Sequence, residues 1–504
     1  MRRFAALVLG ASLLALPACG KKTDEAGRAA GITPPTALAM ISVNLSPSIE
    51  QQRNLRSIAR SFPDASDKVK GEFDNARDEV LEQVIEPSGL DYAKDVKPWL
   101  GKEAAAVILP PGDADSPLFV ALVQTEDKAK AEAAIVKATK DDDFDGAYAV
   151  VEDFVVISDQ DDPADNQAAL DQIVAQSKKD DGGLAKAASF TKVVDELAGD
   201  RLILGWIDAK ASLDAAEQLG GLEGAEFLKE FGKGSVAFDM HVESKAVVFQ
   251  GVTEATGDAK GSTVKLTRSL PASTLAAFTG FDIGSSATKG LQDLGGVGGT
   301  DILAEIEEST GIKLQDDVLS WMKGEAVVVA GAVRDGQPFP DFALVIEPTD
   351  EAKATAGLEH IRRALADQGF PLEERTIGEA TALLVPDPIG DGIQPAMALY
   401  SDRFVLANSP AYLGDLAKAA TPGLGSSDTY ESLLGKDSKG TTAQVIMVID
   451  PIREAIENAA EQFGADLTGY EKDVKPNLER LKAFGVKVTR DGGFNRFEVK
   501  LTLD

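Results

Sequence analysis

Sulfur, imidazole and positive charge are scarce in this sequence, and each shortage closes off a class of function. There is 1 Cys in 504 residues, so neither an internal disulfide nor a zinc site built on cysteines is available. The 2 His, His241 and His360, stand far apart in the sequence and restrict imidazole chemistry to two isolated centres. Lys and Arg number 51 against 82 Asp and Glu, a formal charge of −31. Phosphate binding needs clustered cations, so no nucleic-acid partner is expected. No segment beyond the N-terminus approaches 18 consecutive apolar residues, so no membrane-spanning helix is expected there. What is present, 44% hydrophobic and 26% charged residues, is the composition of a folded globular chain. Its length points to two or more domains.

Arg2 and Arg3 precede an apolar stretch, Phe4 to Ala18. The stretch is too short to span a bilayer and has the length of a secretory signal core. It ends in Leu16-Pro17-Ala18-Cys19, which resembles a bacterial lipobox with Pro17 as a mild departure. The resemblance implies a signal peptide over 1–18 and lipidation of Cys19, the only cysteine. Residues 19–36, polar and rich in Gly and Pro, read as a flexible tether from membrane to fold. The chain is therefore expected in the cell envelope, exported and anchored to a bacterial membrane by lipid.

The body reads as one unit written twice. Gly89–Ala104 and Gly311–Ala326 share six of sixteen residues in register, including Asp95/Asp317, Trp99/Trp321 and Glu103/Glu325. Phe119–Lys130 aligns with Phe342–Lys353, and Leu202–Asp208 with Val445–Asp450, the two aspartates paired as helix starts. Repeat one is placed at 37–256 and repeat two at 262–504, joined near Gly257–Thr263. Val69, Phe73, Ala76, Val80 and Val84 mark an amphipathic helix. Strands are expected at Ala104–Leu109 and Leu118–Val123, a helix over Asp127–Thr139, and a hairpin of Ala147–Val151 with Phe154–Ser158. Hairpins interrupted by single helices give an α+β class: two tandem homologous repeats, each a mostly antiparallel sheet covered by helices.

The stretch Tyr92-Ala93-Lys94-Asp95-Val96-Lys97-Pro98-Trp99-Leu100-Gly101-Lys102-Glu103, with Pro34–Pro47 and Ser61-Phe62-Pro63, resembles the bacterial envelope family catalogued as domain of unknown function 3352. The resemblance covers most of the exported chain and implies an envelope lipoprotein or membrane-attached protein. It carries no activity and no catalytic residues. In repeat two the cluster is altered, with Ser320 in place of Pro and Lys323 in place of Gly. Trp99 and Trp321 are expected to fill helix–sheet corners, and Asp95 and Asp317 to hold local turns.

Motifs that carry chemistry are few. No G-x-S-x-G, Walker loop or H-E-x-x-H occurs. Ser189-Phe190-Thr191-Lys192 matches S-x-x-K without its companion motifs and reads as a helix start capped by Ser189. Gly295–Gly299 reads as a loop. With 82 acids, paired carboxylates discriminate nothing, and 6% aromatic content leaves few stacking platforms for sugars. Asp141, Asp143, Asp145, Gly146 and Glu152 satisfy the spacing of a calcium loop. A strand rather than a helix is expected after Glu152, however, so a solvated acidic loop is the preferred reading. Neither metal nor cofactor is assigned.

The sequence thus points to a non-enzymatic binding or scaffolding protein whose ligand or protein partner it does not name. One alternative is a carrier of a lipid or other hydrophobic ligand in an apolar cavity, lined by Ala326–Ala330, Leu344–Ile346 and Val445–Ile449. A third is an unrecognised hydrolase.

Overall fold

The short apolar runs of the sequence become antiparallel strands, and the periodic segments become helices laid on both faces of the sheet. A computed structural model describes residues 27–62, 78, 81–82, 90–112, 114, 116–139, 146–179, 181–197, 199–219, 234–255, 260–289, 302–334, 340–386, 388, 393–400, 402–418, 422–462 and 464–504. The chain divides into two units. Unit one is Met1–Asp258 with Gly492–Glu498 and Leu503–Asp504, and unit two is Ala259–Asp491 with Val499–Thr502.

Unit one runs α1 (Arg28–Ile32), β1 (Ala39–Asn44), α2 (Ile49–Ser61), β2 (Leu100–Leu109), β3 (Leu118–Thr125), α3 (Lys128–Ala138), β4 (Ala147–Val151), β5 (Phe154–Ser158), α4 (Pro163–Ser177), α5 (Ala188–Val194), β6 (Ile203–Asp208), α6 (Ala209–Gln218), β7 (Ser235–Glu243) and β8 (Ala246–Glu254). Its sheet order is β4–β5–β3–β2–β1–β6–β7–β8, antiparallel throughout. Unit two runs α7 (Leu266–Ser269), β9 (Ala276–Phe281), α8 (Ile302–Thr310), β10 (Glu325–Val333), β11 (Pro340–Ile346), α9 (Glu351–Asp367), β12 (Glu373–Ile377), β13 (Ala380–Leu384), β14 (Ala396–Tyr400), β15 (Arg403–Ala407), α10 (Pro410–Ala417), α11 (Asp428–Leu434), β16 (Thr441–Val448), α12 (Ile449–Gln462), α13 (Lys475–Leu478) and β17 (Leu481–Asp491). Its order is β12–β13–β14–β15–β11–β10–β9–β16–β17, again antiparallel. The two orders agree over seven strands, from β4 through β7 in the first and from β14 through β17 in the second, with β8 extending one edge of the first and the β12–β13 hairpin the opposite edge of the second.

Helices on both faces explain why β2 and β3 read as continuous apolar runs rather than as alternation. Ala105, Val107 and Leu109 point to one core with Leu118, Leu122, Phe190 and Trp206. Ala106 and Ala121 point to the other, with Trp99, Ile135 and Ile157. Unit two repeats this, with Val327, Val345, Leu413 and Tyr430 on one side and Trp321, Ala326, Ile346 and Phe404 on the other. Side-chain caps start the helices where the sequence supplies them: Asp127 accepts from Lys130 N on α3, Asp350 from Lys353 N on α9, and Asp208 from Ala211 N on α6.

Two buried glutamates tie chain segments to the sheets. Glu103 Oε2 accepts from Ala29 N at 3.2 Å, at the start of α1. Its counterpart Glu325 accepts from Lys265 N (2.6 Å), Leu266 N (2.8 Å), Thr267 N (2.9 Å) and Thr267 Oγ1 (2.8 Å), at the start of α7. This corrects the tether expected over 19–36. Its described part is folded, with Ala29 and Ala30 fully buried and Ile32 2% exposed. Polar composition hid a short apolar pair that docks on the core.

A second correction concerns Asp450. Cross-strand register sets Ser42 opposite Leu204 and Thr279 opposite Gln444, which makes Val448, not Asp450, the counterpart of Asp208. Asp208 is the cap of α6. Asp450 lies inside α12 and accepts from Arg453 Nη2 at 3.3 Å. Of the helix expected over Val69–Val84, only Asp78, Leu81 and Glu82 are described, all helical; the remainder lies outside the described residues. No helix among the described residues is long and apolar enough to cross a membrane.

Candidate functional site

A cleft of about 400 Å³ opens in unit two where β9, the β10–β11 hairpin and α10 meet. The pairing of β10 with β11 shifts register between Ala330 and Val333, and such irregularities re-aim side chains. Ser409 caps α10, accepting from Tyr412 N at 3.1 Å, and donates to Asp341 Oδ1 at 3.0 Å. Asn408 secures the adjoining strand through Phe342 N and Pro340 O. Asp341 is thereby fixed at 2% exposure. Arg334 Nε donates to its other oxygen, and Arg334 Nη2 donates to Asp415 Oδ2 at 2.7 Å. Lys418 Nζ approaches Asp415 Oδ1 at 3.5 Å. Two cations and two carboxylates compensate one another along this wall. The bonds to Asp415 and Asp341 raise the Arg334 pKa further above its already high value, so its charge is permanent.

Tyr412 and Thr274 also line the cleft and are each 4% exposed. Neither hydroxyl has a hydrogen-bond partner among the described residues. A buried hydroxyl without a partner costs about 1–3 kcal/mol. Burial pushes the Tyr412 phenol well above its ordinary range, so it stays protonated and able to donate.

The same corner of unit one is sealed. Register sets Leu109 opposite Leu118 at the end of the β2–β3 pair, where unit two has Gly331 and Asp341; Ala37 stands where unit two has Thr274. Leu109, Leu118 and Ala37 are 0%, 1% and 1% exposed, within the main core of unit one. A Cβ on Gly331 would lie 2.8 Å from Tyr412 Cε2 and 3.2 Å from Asp341 Cβ. The absence of a side chain at 331 is what gives the Tyr412 ring its place.

The residues singled out in the sequence are scattered. Cys19, Asp141, Asp143, Asp145 and Gly295–Gly299 lie outside the described residues. Glu152 sits at the tip of the β4–β5 hairpin with φ 50°, exposed to solvent. No cluster that could hold a metal occurs among the described residues. Ser189 is not the cap of α5: Ala187 holds that position without a side-chain bond, and Ser189 lies inside the first turn. Lys192 pairs with Glu254, so the S-x-x-K match assembles no nucleophile. His241 Nδ1 lies 2.8 Å from the fully buried Asp239. His360 Nδ1 lies 2.9 Å from Asp317.

The Asp–Trp cluster is a π-helical turn. Asp95 Oδ2 accepts from Asp91 N at 2.9 Å, and Trp99 Nε1 donates to Asp95 O at 2.5 Å. Asp317 Oδ2 accepts from Lys313 N at 2.9 Å, and Trp321 Nε1 donates to Asp317 O at 2.8 Å. Lys137 pairs with Asp95 as His360 pairs with Asp317, from equivalent places on α3 and α9. The Lys137 bond, followed by that of Asp91 N, holds the Asp95 carboxyl below its ordinary range.

A third such turn, Tyr470–Val474, precedes β17. Its signal is plain once sought: Tyr470–Leu478 (YEKDVKPNL) matches Tyr92–Leu100 (YAKDVKPWL) at seven of nine positions. The side chains match as well. Tyr92 Oη and Lys97 Nζ both reach Asp78, as Tyr470 Oη (2.7 Å) and Lys475 Nζ (3.0 Å) both reach Glu457. Tyr470, Lys475 and Arg453 together hold the Glu457 carboxyl down at about 2. In unit two, β9 and β16 form the central pair. Each is followed by a helix, a π-helical turn and an outward-pairing strand: α8, Leu314–Val318 and β10 in one arm; α12, Tyr470–Val474 and β17 in the other.

Neither the curated proteins nor the solved structures contain a match to this chain. A family model described as protein of unknown function (DUF3352) matches residues 4–143 and again residues 132–503. With nearly the whole chain covered by these two matches, the protein belongs to the DUF3352 family.

Proposed function

We propose that this is an exported, lipid-anchored envelope protein of non-enzymatic binding type, built from two homologous units of which the second keeps an open binding cleft. The two overlapping family matches, the shared strand order and the paired π-helical turns support duplication. The signal-like N-terminus and Cys19 support export and anchoring. The observation that carries the binding reading is the exchange at one corner. Leu109, Leu118 and Ala37 close it in unit one, and Gly331, Asp341 and Thr274 open it in unit two. Burying two leucines stabilises a core by about 2 kcal/mol each. Unit two forgoes that gain and carries two buried hydroxyls without a partner among the described residues, as a site for a ligand would.

The test is differential scanning fluorimetry and ligand-observed NMR with pooled small polar metabolites. The wild type should respond to at least one compound. An Ala332→Trp variant, which plugs the cleft from an exposed position, should lose that response while keeping its circular dichroism spectrum. Silence from the wild type, or an unchanged response in the plugged variant, overturns the reading. For the anchor, Cys19→Ser should move the protein from the membrane to the soluble fraction.

A second reading, a carrier of hydrophobic ligands, draws on the sheet face of unit two that also carries Ala326 and Ile346. Phe278, Val328 and Leu406 are 49%, 54% and 37% exposed, in one cross-strand row with Leu344. Their counterparts in unit one include Ala106, Ala121 and Ile157, all buried. Lipid retained on the purified protein in native mass spectrometry would favour the carrier.

A further inference from the structure

We infer that the cleft of unit two takes a neutral, polyhydroxylated ligand of monosaccharide size. This rests on the binding reading above and names its ligand class.

The first argument is charge. Arg334 and Lys418 face Asp341 and Asp415, and the four charges are already matched within the wall. An ionic ligand would bring a charge with no free counter-charge among the described lining residues into a half-buried site, and desolvation would oppose it. The chain's formal charge of −31 further disfavours anions at long range.

The second argument is the kind of bonding on offer. Arg334 Nη1 makes no bond among the described residues, and neither does the exposed Ser273 hydroxyl. Asp415 is 43% exposed and can still accept. The Tyr412 and Thr274 hydroxyl oxygens lie buried behind this wall, without a partner among the described residues, and come within reach only of a ligand that displaces part of it. The ligand must therefore both accept and donate at several closely spaced points. Hydroxyl groups on adjacent carbons do this, and Arg334 Nη1 beside the exposed Asp415 carboxylate offers them a donor next to an acceptor.

The third argument is shape. A volume of about 400 Å³ lies in the range of small-molecule sites. Pro271, Ala332 and the bare backbone of Gly331 give the cleft an apolar wall against which the C–H face of a sugar ring can lie. Aromatic residues make up 6% of the chain, and one of them, Tyr412, stands here.

The experiment is saturation-transfer NMR on the full-length protein in detergent. The neutral probes are D-glucose, N-acetyl-D-glucosamine and myo-inositol, against sodium phosphate and citrate as anions and putrescine as a cation. At least one neutral probe should give saturation transfer. Asp415→Asn, which keeps the volume and leaves Arg334 its bond to Asp341, should weaken it several-fold. The Ala332→Trp plug should abolish it, with folding checked by circular dichroism. Silence from all three neutral probes overturns the ligand class. If an ionic probe then binds and the plug abolishes it, the cleft remains a binding site for another class of compound. If no probe binds and the metabolite pools also fail, both readings fall.

Discussion

Replacing Glu103 by glutamine should stabilise the protein at pH 8 and leave it unchanged at pH 4.5. Glu103 is 8% exposed. Oε2 has Ala29 N as its donor, and Oε1 has no partner among the described residues. Desolvation is the largest influence and pushes the carboxyl up to about 7. Backbone N–H groups of Ala29 and Arg28, and the Arg28 charge, oppose it only in part, and the charge of Asp153 adds to it. The folded state therefore favours the protonated form. This contribution to stability is complete below the ordinary carboxyl value of 4.5 and is lost as pH rises to about 7. A rise of that size corresponds to about 3 kcal/mol between the two limits. Glutamine is neutral throughout, so Glu103→Gln should gain up to about 3 kcal/mol at pH 8. That is a rise of roughly 6–12 °C in Tm for a unit of this size. Urea unfolding followed by circular dichroism at pH 4.5, 6 and 8 reads the difference. Comparing variant with wild type at each pH removes the contribution of the other acids. A variant no more stable than wild type at pH 8 would refute the reasoning.

Glu325→Gln should behave oppositely, because Glu325 receives four donors and an amide NH₂ would face at least one of them; a loss of about 2–4 kcal/mol is expected in the same urea experiment. Gly27→Ala should destabilise α1 by more than about 1 kcal/mol. Gly27 has φ 65°, and a Cβ there would lie 2.5 Å from Glu103 Oε1; hydrogen exchange of residues 28–32 measures the loosening. Glu457→Gln should remove a contribution that is present above pH 4.5 and fades as pH falls towards 2. Wild type and variant should therefore converge in acid and separate at neutral pH in thermal melts.

Much of the fold was legible because local chemistry and tertiary outcome agree. The caps Asp127 and Asp208, the hairpin turning at Glu152-Asp153 and the apolar runs of β2, β3 and β6 all follow from short-range rules. The paired Trp residues set the stretches leading into β2 and β10 in the same register. What was hidden depends on distance along the chain. The docking of α1 needs Glu103, which lies 74 residues from Ala29. The slip at Asp450 shows only in cross-strand pairing. The cleft is a set of exchanges at corresponding positions, Leu109 for Gly331 and Leu118 for Asp341, and neither glycine nor aspartate is remarkable alone. The third π-helical turn was readable but fell out of step with the offset that aligns the other two.

The central seam of unit two has a consequence for how such a sheet could arise. Equivalent strands running antiparallel, with matching arms to either side, make a self-complementary contact of the kind found at the axis of a two-fold dimer. A lone arm would expose an unpaired strand edge and invite association. Joined in one polypeptide, two arms satisfy each other at any concentration, and each is released to diverge. In one arm the turn keeps Trp321 as its buried anchor; in the other, Asn477 occupies that place and an ionic cluster around Glu457 holds the turn instead.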